Sequence, residues 1–152
     1  MRVGVMSDTH GLLRPEALKA LAGVDHILHA GDVGDADILS ALEKIAPLTA
    51  IRGNIDRSGP CAALPATEIV VLNQVTFYLL HDVHELDLDP ATAGISVVVS
   101  GHSHKPLIEE RRGVIYLNPG SAGPRRFSLP ITIGFVSLGK GSPRAEIIPL
   151  PR

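Results

Sequence analysis

Five short polar segments of this 152-residue chain carry groups able to bind cations or move protons. They hold Asp8 with His10, Asp32, Asn54 with Asp56, His81 with Asp82 and His84, and His102 with His104. Carboxylate, carboxamide and imidazole without thiolate suit borderline divalent ions such as Mn²⁺, Fe²⁺ or Zn²⁺, whereas Ca²⁺ prefers all-oxygen cages. Asp8, His10, Asp32, Asn54, His81, His102 and His104 are more donors than one ion with an open position needs. Two ions about 3.5–4 Å apart, bridged by one carboxylate, would use them all, and Asp32 is the natural bridge. Two divalent ions bring four positive charges and Asp8 with Asp32 removes two. The site is then electropositive and suits an anionic phosphoester better than an amide or a sugar. Such a pair supplies a bridging hydroxide as nucleophile and Lewis-acid stabilisation of the charged transition state. A single-metal hydrolase acting on another bond would leave donors unused.

The elements that must position these groups alternate in the first third of the chain. Arg2 to Met6 and His26 to Ala30 read as strands buried on both faces, and Leu48 to Arg52 as a third. Between them lie a helix from Pro15 to about Ala22, closed by Gly23, and a second helix capped by Asp35 or Asp37 and stopped by Pro47. After a Pro-, Gly- and Ala-rich connection from Ser58 to Ala66 the pattern turns mostly β. Thr67 to Leu72 and Val75 to His81 flank an Asn73-Gln74 turn, Ser96 to Ser100 is another buried strand, and Arg112-Gly113 joins Leu107–Arg111 to Val114–Asn118. Ile131 to Leu138 and Ala145 to Pro149 read as a closing hairpin. The expected fold class is α/β, with two mixed sheets packed together and helices outside, as one domain over 1–152. Carboxyl ends of strands form the crevice in open α/β sheets, so residues spread over a hundred positions can converge there. At a strand end, residues i and i+2 point the same way, which makes Asp8 with His10, and His102 with His104, ligand pairs.

Composition narrows the function. Lys plus Arg number 14 against 16 Asp plus Glu, a formal net charge of -2, with no basic cluster to bind long nucleic acid. The chain is 45% hydrophobic with only 3% aromatic residues, which predicts an aliphatic, β-branched core. No apolar run is long enough to span a bilayer, Cys61 has no internal partner, and the N-terminus reaches Ser7-Asp8-Thr9-His10 too soon for a signal peptide. These features predict a cytoplasmic protein without a membrane partner. Exposed hairpin edges offer a route to a homo-oligomer.

Taken in order, Asp8-x-His10, Gly31-Asp32, Gly53-Asn54, His81 and Gly101-His102-x-His104 resemble the calcineurin-like metallophosphoesterases, in particular their short bacterial and archaeal phosphodiesterase branch. The resemblance covers Met1 to about Ser121 and implies a four-layer α/β/β/α sandwich with a dinuclear centre. By matching position, Asp8, His10, Asp32 and His104 would hold the first metal, and Asp32, Asn54, His81 and His102 the second. Mn²⁺ is the first choice of ion, with Ni²⁺, Zn²⁺, Fe²⁺ or Mg²⁺ as the others. The implied activity is a phosphodiesterase on small phosphodiesters, with Asp32, Asn54 and His102 acting through metal and phosphate positioning. Asn118-Pro119-Gly120-Ser121 resembles a loop near the substrate mouth in this branch. The chain departs from the family where Ile55 replaces a His after the motif Asn and where Asp82 replaces a Gly after His81. The first departure leaves the general acid unassigned, with Asp56 and His84 as candidates. A nucleotide phosphatase or pyrophosphatase would use the same chemistry. A non-catalytic protein-binding scaffold is the alternative from another class, since the family also resembles a retromer subunit that uses the fold this way. The complete ligand set favours an enzyme.

Other polar residues read more plainly. His29 lies on a buried strand and reads as an imidazole packed behind the site, His26 as a strand residue, and Cys61 as a small packing group. Arg57, Arg125 and Arg126 are forks that could grip phosphate, with Asn54, Arg57 and Arg125 as the substrate-binding set. Gly31, Gly53 and Gly101 are expected to let the backbone turn so that the next residue faces the crevice.

Overall fold

The computed structural model describes residues 1–151. Its strands are β1 (Arg2–Met6), β2 (His26–His29), β3 (Leu48–Ala50), β4 (Thr67–Leu72), β5 (Val75–Leu80), β6 (Val97–Val99), β7 (Leu107–Arg111), β8 (Val114–Asn118), β9 (Thr132–Ser137) and β10 (Arg144–Pro149). Three helices, α1 (Pro15–Ala20), α2 (Ala36–Glu43) and α3 (Gly59–Ala62), fall between the early strands. The strands form two mixed five-stranded sheets, ordered β10-β9-β1-β2-β3 and β4-β5-β6-β8-β7. β1 pairs in parallel with β2, and β2 with β3, while β9 closes antiparallel on β1. In the second sheet β5, β6 and β8 are parallel and β4 and β7 are antiparallel edges.

The two sheets pack face to face. Val3, Val5 and Leu28 meet Phe77, Leu79, Val97 and Val99 in a core whose members are almost wholly excluded from water. This is the aliphatic, β-branched interior that few aromatics require. The other face of the first sheet carries Met6, Ile27 and Phe135 and is covered by Ala17, Leu21, Ile38, Leu42 and Cys61 of the three helices. Burying each such large side chain contributes about 1.5–3 kcal/mol, which gives these short helices the stability that isolated peptides of their length lack. The outer face of the second sheet, with Tyr78, Leu80 and Val98, is covered by Leu86, Leu88 and Ile95 from an extended segment that begins with a 3₁₀ turn at Val83–Glu85. The fold is thus the expected α/β sandwich of two mixed sheets, with an outer layer on the second sheet that is loop and 3₁₀ turn.

Local chemistry explains most boundaries. Asp35 caps α2 by accepting the Asp37 N–H at 2.9 Å. The Asn73-Gln74 hairpin turn holds both residues at positive φ, 48° and 67°, the geometry of a two-residue turn whose twist matches its strands. α3 lies in the connection from Ser58 to Ala66 and was not expected there; Pro60 in its first turn and the buried Cys61 anchor it. No helix among the described residues is long and apolar enough to cross a membrane.

Candidate metal centre

β1, β2, β5 and β6 all end at one rim, and their loops continue the sheet hydrogen bonding past the strands. Asp8, His10 and Gly11 donate backbone N–H groups to Gly31, Asp32 and Val33 carbonyls at 2.9–3.0 Å, and Gly101 donates to the His81 carbonyl at 2.9 Å. These bonds lace the ligand-bearing segments into one surface. Asp8, His10, Asp32, His102 and His104 adopt left-handed backbone conformations, with φ between 46° and 70°. Such residues cost about 1–2 kcal/mol each in an L-chain, so surrounding contacts must hold them there.

The side chains converge. His10 Nε2 and His81 Nε2 lie 3.3 and 3.1 Å from Asp32 Oδ2, while His10, His104 and His81 approach Asp8 Oδ1 to 3.6, 3.5 and 3.8 Å. Two overlapping groups could each hold an ion, Asp8 with His10 and His104, and Asp8 with Asp32 and His81. Asp8 Oδ1, His10 Nε2 and His81 Nε2 are buried there without a hydrogen-bond partner, and His104 turns Nε2 toward Asp8. The 3.1 Å contact of His81 with Asp32 has the wrong alignment for a hydrogen bond, so the two atoms face a common point and not each other. Buried unpaired polar atoms are costly, and a divalent cation is the partner that this oxygen and imidazole set fits.

The remaining lone pairs are tied back into the protein. His81 Nδ1 donates to the Ala30 carbonyl at 2.7 Å, which fixes the proton there and turns Nε2 to the centre. Asp8 Oδ2 accepts from Ser7 Oγ at 2.6 Å and from the His102 N–H at 3.1 Å, and Asp32 Oδ1 accepts from the Ile55 N–H at 3.1 Å. Asn54 Oδ1 and His102 Nδ1 lie 3.2 Å apart on the exposed side. Burial would raise the Asp32 carboxyl, but its close contact with His81, the Ile55 N–H and the charges of His81 and His10 together hold it down to about 2. Burial lowers His81, yet Asp32, the Ala30 carbonyl and the Asp8 charge outweigh it and push the imidazole up to about 9. Burial depresses His104, partly countered by Asp8 and reinforced by the Arg126 charge.

Other expected residues stand elsewhere. The Asp56 carboxylate is buried and accepts the backbone N–H groups of Val33, Gly34 and Gly53 at 3.1, 3.0 and 2.9 Å. It clamps together the loops that carry Asp32 and Asn54. His84 is on the surface, bonded to Asp82 through Nδ1 at 3.0 Å. Arg57 donates to the Asn54 carbonyl at 3.0 Å, and Arg125 is exposed. The Asn118–Ser121 loop, expected near a substrate mouth, is buried behind the ligands. Asn118 Nδ2 donates to the Gly101 carbonyl at 3.0 Å and Ser121 Oγ to the Asp8 carbonyl at 3.0 Å. Gly31 does turn at φ 101°, but Gly53 and Gly101 serve close approach: a Cβ there would strike Asp32 Oδ1 and Ser7 Oγ respectively.

His29 completes the support. Thr9 Oγ1 gives its one proton to the Val33 carbonyl at 2.8 Å, so it accepts from His29 Nε2 at 3.1 Å, while the Gly31 N–H donates to His29 Nδ1 at 3.1 Å. The imidazole is thereby neutral with a fixed tautomer. Full burial drives it down to about 4 against the pull of Asp8 and Asp56. Thr9, Asn118 and Ser121 are supports that motif spacing does not reveal, because their partners lie 17 or more residues away, while Ser7 holds its neighbour Asp8.

A cleft of about 380 Å³ opens beside the centre, lined by Asn54, His81 and His102 together with Arg52, Thr67 and Tyr78. That volume suits a small molecule. The sequence matches the calcineurin-like phosphoesterase superfamily domain over residues 1–141. It is 37% identical to a probable metallophosphoesterase of Methanocaldococcus jannaschii over 80% of this chain and 68% of that protein. A solved archaeal phosphodiesterase superposes with TM-score 0.78 at 26% identity, covering 97% of this chain and all of that one. Vps29 of Entamoeba histolytica, solved in complex with zinc, shares the fold with TM-score 0.77 at 20% identity over 98% of this chain and 99% of that one. By the match along its length and the convergence of the five motifs, the chain belongs to the calcineurin-like phosphoesterase superfamily.

Proposed function

We propose that the chain is a metal-dependent phosphodiesterase that hydrolyses small phosphodiesters at a dinuclear centre. Asp8, His10, Asp32 and His104 would hold one divalent ion, and Asp32, Asn54, His81 and His102 the other, with Mn²⁺ the first choice. The observation that carries the reading is the set of buried, unpartnered atoms gathered around Asp8 and Asp32. Bound divalent ions would supply Lewis acidity and lower the pKa of a bound water. The chain's own groups do the rest. The Ala30 carbonyl keeps the His81 proton on Nδ1, Ser7 and the His102 N–H hold Asp8 by its far oxygen, and Asp56 fixes the loops that carry Asp32 and Asn54. The cleft beside His81 and His102 admits the ester group, and Asn54 faces it.

Preference for diesters is supported by the phosphodiesterase names of relatives. The test is hydrolysis of bis(p-nitrophenyl) phosphate and p-nitrophenyl phosphate by metal-stripped protein with Mn²⁺, Ni²⁺, Zn²⁺ or Mg²⁺ restored singly. Metal-dependent turnover with a faster diester is expected. A faster monoester or nucleotide substrate would reassign the branch, and folded, metal-loaded protein without turnover on any ester would turn the search to a protein-binding role.

A further inference from the structure

We infer that Asp82 is a positioning residue for His102, and that it strengthens binding of the ion held by the open half of the centre. The inference rests on the dinuclear reading above. His102 has nitrogens with distinct surroundings: as the ring stands Nδ1 donates to Asn54 Oδ1 at 3.2 Å, a proton that an ion bound there would displace to Nε2, and Nε2 lies 4.0 Å from Asp82 Oδ2, an ion-pair distance beyond direct hydrogen bonding. Nδ1 is therefore the nitrogen beside another candidate ligand. An imidazole nitrogen binds a cation only through its lone pair, so the ring proton must then sit on Nε2. The carboxylate ahead of Nε2 favours that tautomer and makes the ring a stronger donor, as outer carboxylates do for metal-bound histidines.

Asp82 is held ready for this. Its Oδ1 accepts from the His84 N–H at 3.1 Å, capping the 3₁₀ turn, and from His84 Nδ1 at 3.0 Å. Oδ2 is left for His102. The ring is otherwise held by Asn54 and by an edge-on approach to His81 at 5.2 Å, with its side chain 47% exposed. The buried ligands behave differently, because His81 is already oriented by a backbone carbonyl. The residue after His81, where the family pattern has Gly, thus carries a group that acts on a ligand some twenty residues away.

The test is titration of metal-free protein with Mn²⁺, with free ion read by electron paramagnetic resonance, for wild type, Asp82→Asn and Asp82→Glu. Asn retains an oxygen to cap the 3₁₀ turn. The expected result is two equivalents bound by wild type, with one weakened roughly 10- to 100-fold in Asp82→Asn, the other within about twofold, and partial recovery in Asp82→Glu. Wild-type affinity for both equivalents in Asp82→Asn would overturn the inference, as would equal weakening of both, which would make Asp82 a support of the fold. A single equivalent on wild type would overturn the dinuclear reading, and this inference with it.

Discussion

Left-handed backbone conformations at residues other than glycine cluster in two settings, with Phe127 alone in an exposed loop. Asn73, Gln74 and Arg112 adopt them in hairpin turns, while Asp8, His10, Asp32, His102 and His104 adopt them at the candidate metal centre. In the turns the conformation serves strand geometry alone, and glycine would serve as well or better. At the centre the residue that follows the strand must bend the chain and also present a carboxylate or imidazole, which glycine cannot do. The centre therefore keeps a strain of about 1–3 kcal/mol per residue that the turns could relieve, and its cost is met by the hydrogen bonds lacing the loops. The comparison separates what the fold needs from what the chemistry needs.

The largest expected effect lies at Asp32, the carboxylate proposed to bridge two ions. Asp32→Ala removes the atom nearest both His10 and His81, and steady-state turnover of a diester should fall by about a thousandfold or more while far-ultraviolet dichroism stays native. Retained turnover would put the chemistry elsewhere. The supports come next. Asp56→Ala strips three backbone N–H groups, one of them buried and two part-buried, of their acceptor and should cost about 2 kcal/mol in a urea unfolding experiment.

His29 gives a pH-dependent version of the same test. Its folded value of about 4 lies below the unfolded value of 6.5, so the unfolded chain binds more protons between them. Its share of stability is present above about pH 6.5 and is lost as pH falls through about 4, a total on the order of 3 kcal/mol. Urea midpoints measured from about pH 7 down to about pH 4.5 should fall less steeply in His29→Asn than in wild type. Parallel profiles would mean the imidazole is not neutral and buried as described. The smallest effect belongs to the turns: Gln74→Gly, which relieves φ 67° without touching the centre, should raise stability by about 1 kcal/mol or less. A loss there would break the contrast between the two settings.

The ligand segments were legible in the sequence because each follows an apolar run with a strand's length, and sheets bring strand ends together. The hairpin at Asn73-Gln74 and the Asp35 cap were legible for the same reason, since turns and caps depend on neighbours in sequence. What was not legible depends on closure of the fold. The Asp56 carboxylate looks like any acid near a motif until Val33 and Gly34 are seen to donate to it across more than twenty residues. Gly53 and Gly101 looked like turn formers, yet their need is space beside Asp32 and Ser7, which no local pattern encodes. α3 is too short to show periodicity, and the cover of the second sheet from Val83 to Ile95 has none.

The most direct test of the account is a crystal structure of the protein loaded with Mn²⁺, with anomalous scattering recorded at the metal edge. Two peaks about 3.5–4 Å apart with Asp32 between them are expected. A single peak, or two that do not share Asp32, would contradict the dinuclear centre.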